Sequence, residues 1–169
     1  VDMIDPAVLR AGRLDVKIRI DRPSAESAVA IVRHYLTDDL PLRQGMDASA
    51  LAAVLVRDIM ARSARRELAQ VRDANGRWRG LFLADVVSGA SLKNIVDRAK
   101  TRAVKASIET GGQVALDADL LAAAVDDEFR ETRDALLDAD PEQWSRVNGV
   151  QTGSITAIRQ VPETEAERA

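Results

Sequence analysis

Apolar positions along this chain change period several times, and each change marks an element. Val16, Ile18 and Ile20 alternate with Lys17 and Arg19, the two-residue period of a half-buried strand. From Ala25 the period becomes helical. Ala25, Val29, Val32 and Leu36 fall on one face, Ser24 is placed to cap, and Glu26 lies in the first turn. After Pro41 and a loop holding Gly45, Asp47 can cap a second helix with the stripe Leu51, Val54, Leu55, Ile59 and Met60. Between Glu67 and Leu83 the period returns to two. Ala69 and Val71 alternate with Gln70 and Arg72, and Trp78 and Phe82 with Arg77 and Arg79. Asp73-Ala74-Asn75-Gly76 sits between them, and Asn-Gly is a strong hairpin signal because both turn positions need positive φ. A two-residue turn sets Arg72 opposite Arg79; a four-residue turn sets it opposite Arg77. Trp78 and Phe82 carry much of the local apolar bulk, which predicts that the hairpin packs through them.

The longest stripe follows: Leu92, Ile95, Val96, Ala99, Ala103, Val104 and Ile108, opened by Ser88-Gly89-Ala90 and closed by Gly111-Gly112. Lys93 and Asp97 are spaced for a surface ion pair. A further helix runs through Ala124 and Val125. Asp140 can cap a short helix with Pro141 first, and Gly153 to Arg159 alternates like a strand.

Composition narrows the class. Apolar residues make up 46% and charged residues 30% of the 169, as in an ordinary globular chain. Aromatics are only 3%, so the core must be built from Ala, Val, Leu and Ile. The net charge of -3 argues against a nucleic-acid partner. No cysteine is present, which excludes disulfides and thiolate metal sites. His34, the one histidine, has no partner at metal spacing and reads as a surface residue. No apolar run is long enough to span a bilayer and no signal peptide is visible, so there is no membrane partner and the cytoplasm is the default location. Arg62, Arg65 and Arg66 form a cationic cluster expected to be solvated near a helix end.

Two stretches carry candidate chemistry. In Asp5-Pro6-Ala7-Val8-Leu9-Arg10-Ala11-Gly12-Arg13-Leu14-Asp15, two arginines flank a glycine break after a short Pro-opened helix. Arginine at the end of an element presents a rigid fork to a carboxylate or phosphate. On these residues alone, an exposed charge pair is the ordinary reading. At Ser88-Gly89-Ala90 a helix N-terminus preceded by small residues lets backbone N–H groups approach a ligand, though most such starts bind nothing.

The first stretch, followed by an alternating strand and Pro23, resembles the second region of homology of AAA ATPases. There the arginines at the places of Arg10 and Arg13 are arginine fingers acting in trans on the neighbouring subunit's nucleotide. Ala11 stands where proline is usual. Ser88-Gly89-Ala90-Ser91-Leu92-Lys93-Asn94 is similar to the family's second-sensor segment, which implies that Gly89 and Ala90 contact adenine in cis. The insertion from Leu42 to Val87 and the C-terminal strand resemble the actinobacterial proteasomal ATPases, the Mpa/ARC family.

The resemblance implies an α+β fragment: the tail of the AAA large α/β subdomain, a helical lid subdomain, and a small β-grasp-like module of hairpin plus C-terminal strand. Residues 1–22 would end the large subdomain. Residues 23–41 and 88–138 would form the lid, 42–87 and 139–162 the inserted module, and 163–169 a disordered tail. The implied function is the C-terminal part of a hexameric ATP-dependent protein unfoldase feeding tagged, Pup-like substrates to the proteasome core particle, with ATP and Mg2+ as cofactors of the whole protein. The phosphate-binding pattern Gly-x-x-x-x-Gly-Lys-[Ser/Thr] is absent, so the fragment alone is expected to be inactive. Members that open the proteasome end in a tail with a penultimate tyrosine; Pro162 to Ala169 has none, which leaves core-particle docking open. Two other readings remain: a non-catalytic helical and β-grasp interaction module, and a different AAA unfoldase with a decorated lid.

Overall fold

The computed structural model describes residues 21–148 and 155–161. Four helices form its larger part: α1 (Ala25–Tyr35), α2 (Ala48–Ile59), α4 (Gly89–Thr110) and α5 (Ala118–Leu137). Each begins where a short polar side chain can satisfy an orphan N–H. Ser24 Oγ accepts from Ser27 N at 3.2 Å. Asp47 accepts from Ala50 N at 2.7 Å, while Asp38 takes Ala48 N at 2.8 Å. Asp117 takes the amides of Asp119 and Leu120 at 3.1 and 3.0 Å.

α1 packs on α2 and α4, α4 on α5, and α5 back on α2. The enclosed core is aliphatic: Val32 and Leu36 from α1, Leu51 and Leu55 from α2, Leu92 and Ile95 from α4, Leu121 and Val125 from α5. The periodic stripes overshoot this core. Ala25 is exposed and Ala28 is buried in its place. Val54 is exposed, as are Val104 and Ile108, because the neighbouring helices cover only part of each predicted face.

The smaller part is a three-stranded sheet of order β2-β1-β3, with β1 (Glu67–Arg72), β2 (Trp78–Phe82) and β3 (Ala157–Arg159), both pairings antiparallel. Hairpin and C-terminal strand therefore join. The register is neither of the two expected, since Arg72 lies opposite Trp78. Asp73 sets it: its carboxylate accepts from Asn75 N and Arg77 N, both at 2.9 Å, and its own N–H donates to Arg77 O at 3.0 Å. Gly76 has φ +81°, and no non-glycine among the described residues has positive φ, so Asn75-Gly76 does not make the expected turn.

The hairpin also packs through the face opposite to the one expected. Ala69, Val71 and Leu81 point inward, with β1 against α5, whereas Trp78 is 39% exposed under the Arg159 guanidinium, 4.1 Å from its ring centre. β2 leads into a one-turn helix, α3 (Leu83–Val86), and Asp140 caps α6 (Pro141–Asn148) by accepting from Gln143 N at 2.8 Å.

One member of the arginine cluster is not solvated. A 3-10 turn at 64–66 aims Arg66 inward, where its side chain is 1% exposed. It bonds Asp58 of α2 through Nε at 3.0 Å and Nη2 at 2.5 Å, and Asp126 of α5 through Nη1 at 2.6 Å. Burial alone would lower its pKa, but hydrogen bonds to Asp58 and Asp126 outweigh that and raise it. Arg62 and Arg65 are exposed and pair with Asp85 and Asp126.

Candidate functional site

The N-terminal end of α4 lies where α1, α3 and α5 converge. Ser88 is extended (φ -119°, ψ 170°), and its Oγ accepts from Ser91 N at 3.1 Å, which leaves other first-turn amides without intrahelical partners. Gly89 and Ala90 form that first turn, Gly89 half-buried and Ala90 exposed. A Cβ at Gly89 would meet only Ile31 Cδ1 of α1 at 3.8 Å, an ordinary contact. Packing within the described residues therefore does not require glycine there. The open backbone leaves room for a flat group against the peptide plane.

The opposing wall comes from α1. Ile31 faces Gly89, and Tyr35, four residues on, carries Lys93 Nζ at 5.8 Å from its ring centre. Lys93 lies four residues after Gly89 and so on the same face of α4. It also pairs with Asp97 at 2.5 Å. Lys100 Nζ donates to Tyr35 O at 2.6 Å and fixes the end of α1 against α4. The result is a shelf, apolar at Ile31, aromatic at Tyr35 and cationic at Lys93, flanking an accessible helix N-terminus. Such a shelf suits a planar, partly polar ligand whose negative charge lies beyond the helix end.

On the α5 side of the same helix end, an open cleft of about 690 Å³ is lined by Ser88, Ser91, Asn94 and Arg98 of α4, Glu128 and Glu131 of α5, and Arg22 and Trp144, among others. Arg98 grips Glu131 with two bonds of 2.6 and 2.5 Å and stands 3.8 Å from Glu128. Burial pushes the Glu128 carboxyl above the usual range, against the opposing hydrogen bond from Ser91 and the charge of Arg98. Arg22 donates to the carbonyls of Val86 and of Val87, the latter at 3.3 Å. Burial draws its pKa down from the ordinary value, partly offset by Asp85, and the guanidinium stays protonated at neutral pH.

Of the four residues singled out from the sequence, Gly89 and Ala90 are adjacent on this shelf, and Arg10 and Arg13 lie outside the described residues. Ile31, Tyr35 and Lys93 were not anticipated as neighbours of this helix start. Their signal was the pair of i, i+4 spacings, Ile31 to Tyr35 and Gly89 to Lys93, which acquire meaning only once α1 and α4 are known to pack. Among the described residues no three His, Cys, Asp or Glu side chains are grouped to hold a metal ion, and no helix is long and apolar enough to cross a membrane.

The family model for the ARC, AAA+ ATPase lid domain matches residues 23–169. A protein of Bifidobacterium longum subsp. infantis, named as an AAA ATPase forming ring-shaped complexes, is 71% identical over 150 residues, covering 89% of this chain and 29% of the relative. A protein of the same name from Bifidobacterium adolescentis is 65% identical over 161 residues, 95% of this chain and 31% of the relative. One from Bifidobacterium animalis subsp. lactis is 54% identical over 157 residues, 89% of this chain and 30% of the relative. The chain thus spans about three tenths of the length of the curated relatives it matches.

Proposed function

The chain belongs to the ARC, AAA+ ATPase lid domain family, and from that premise we propose that it is the lid-bearing part of a hexameric, ATP-dependent protein unfoldase. In the whole protein, identical subunits form a ring; the relatives are named as forming ring-shaped complexes. Each lid closes over its own subunit's nucleotide. Gly89 and Ala90 present backbone to the adenine, with Ile31 and Tyr35 behind it. Arg10 and Arg13 reach the phosphates bound by the next subunit. In this reading ATP with Mg2+ is held mainly by the rest of the protein. The sheet of hairpin and C-terminal strand is the β-grasp-like module beside the lid. The substrates are tagged proteins passed to a proteasome core particle in the cytoplasm.

The observation that carries this reading is the family match over residues 23–169, in which the Ser88-Gly89-Ala90 segment opens a capped helix with Ala90 exposed. The test uses the full-length protein. Arginine fingers are worth about 10³–10⁵ in rate. Arg13→Ala is expected to cut ATP turnover by about that factor while a nucleotide analogue binds with nearly unchanged affinity. Near-normal turnover in this variant would remove the proposed role of the segment.

A further inference from the structure

We propose that Arg22 is a positioning residue that latches the chain leaving residues 1–20 onto the loop that starts α4. The inference rests on the reading above, because it links the two segments placed there on opposite sides of the chemistry.

Its ground is a side chain doing what the local backbone leaves undone. α3 is a single turn, so carbonyls at its C-terminal end lack helical partners and carry partial negative charge. The Arg22 guanidinium donates to two of them, Val86 O and Val87 O. Both bonds leave one nitrogen, Nη1, whose two N–H groups can serve two acceptors, and a charged donor makes each bond stronger than a neutral one would. Asp85, in the same turn, adds favourable charge at the guanidinium and is itself held by Arg62 at 2.6 Å and by Phe82 N at 2.9 Å.

The next residue after Val87 is Ser88, the cap of α4, followed by Gly89 and Ala90. On the other side, Arg22 is joined through Pro23 to Ser24, the cap of α1, whose Ile31 faces Gly89. Proline fixes φ between the latch and the cap, so little slack remains. Arg22 thus lies two residues before the cap of one wall of the shelf and is hydrogen-bonded to the residue just before the cap of the other. A shift of α4's first turn on nucleotide binding would be felt at Arg22.

The test is made in the full-length ring. Arg22→Ala is expected to lower kcat for ATP about tenfold, with nucleotide affinity, melting temperature and ring assembly near wild type. Arg22→Lys, which keeps one charged donor nitrogen on a shorter side chain, should recover part of the loss. A second readout does not depend on turnover. In this chain, Arg22→Ala should speed amide exchange at Ser91 and Leu92 while leaving Val96 and Ala99 unchanged. Wild-type kcat in Arg22→Ala, or unchanged exchange at Ser91 and Leu92, would overturn the latch. So would a parallel fall in affinity and melting temperature, which marks a merely structural role. If Arg13→Ala is inactive while Arg22→Ala is normal, only this inference fails. If the wild-type ring does not turn over ATP, the functional reading fails and takes the inference with it.

Discussion

The two ends of α4 share one apolar period but not one environment. In the first half, Leu92, Ile95, Val96 and Ala99 are each 0% exposed, covered by α1 and α5, and the helix start is fixed by Ser88 and the Arg22 latch. In the second half the same stripe continues through Val104 and Ile108, which are 59% and 77% exposed. What flanks them is loop: Leu40–Pro41 on one side and Gly111–Leu116 on the other, with an open groove of about 730 Å³ between. That end is held mainly by backbone and hydroxyl bonds. Gly111 turns at φ +69°, Ser107 Oγ accepts from Val114 N at 2.8 Å, and Leu116 N donates to Pro41 O at 2.7 Å. A hydrophobic period therefore states that a face exists, while only the partner elements decide how much of it is core.

The sharpest way to break this contrast is a pair of truncations. Ile95→Ala should cost about 3 kcal/mol, the range for emptying a fully packed aliphatic site. Ile108→Ala should change stability by no more than about 0.5 kcal/mol, as for an exposed residue. Denaturant unfolding of the two variants of this chain measures both. Comparable losses at the two positions would mean that the second half of α4 is as well packed as the first.

The second largest effect asks what holds α5 in place over the first half of α4. Three consecutive residues of α5 face different neighbours. Asp126 bonds Arg66, Asp127 bonds Arg102 of α4, and Glu128 lines the cleft beside Arg98. Arg66 thereby fixes the rotation of α5 through its grip on α2. Arg66→Ala leaves two carboxylates without their shared cation. Breaking such a buried pair costs about 3–5 kcal/mol, and the partial exposure of Asp58 and Asp126, 29% and 41%, puts the expected loss near the lower limit. By contrast, Lys93 and Asp97 are both nearly half exposed, and removing that pair should cost only a small fraction of that. A loss at Arg66 as small as the one at Lys93 would mean that α5 is oriented by apolar packing alone.

These cases also show what could be read from the chain before its fold was known. Helix starts were legible at Ser24, Asp47, Ser88 and Asp140, because a cap is a local device and its side chain reaches only two or three residues. The glycine end at Gly111 was legible for the same reason. Arg66 was not, because its burial depends on Asp126, sixty positions away. The hairpin's existence was legible and its register was not. Asn75-Gly76 advertised one turn, while the Asp73 carboxylate built another. Of the site, Gly89 and Ala90 came from the family pattern, whereas Ile31, Tyr35 and Arg22 needed the packing of α1 against α4 and the proximity of α3.

The smallest expected effect concerns Glu128 on the held side of α4. It is buried among Ser91, Arg98 and Glu131, and burial raises its carboxyl pKa above the ordinary glutamate value. A carboxyl whose folded pKa is raised favours the fold while protonated. Its contribution is fully present below the unfolded pKa and is lost as pH rises through the folded one. Asp126 has the opposite sign. Burial pushes it up, but the hydrogen bonds from Arg66 and Arg65 prevail and hold it below 3.8, so its contribution is lost only as pH falls. Glu128→Gln removes the first titration and leaves the second in both proteins. Its stability relative to wild type should therefore grow as pH rises from about 4 toward 7, with the two proteins converging in acid. Unfolding at several pH values across that range measures the difference directly. A variant that instead falls below wild type in stability as pH rises would mean that ionised Glu128 stabilises the fold through Arg98, and that the first half of α4 is held by that charge rather than despite it.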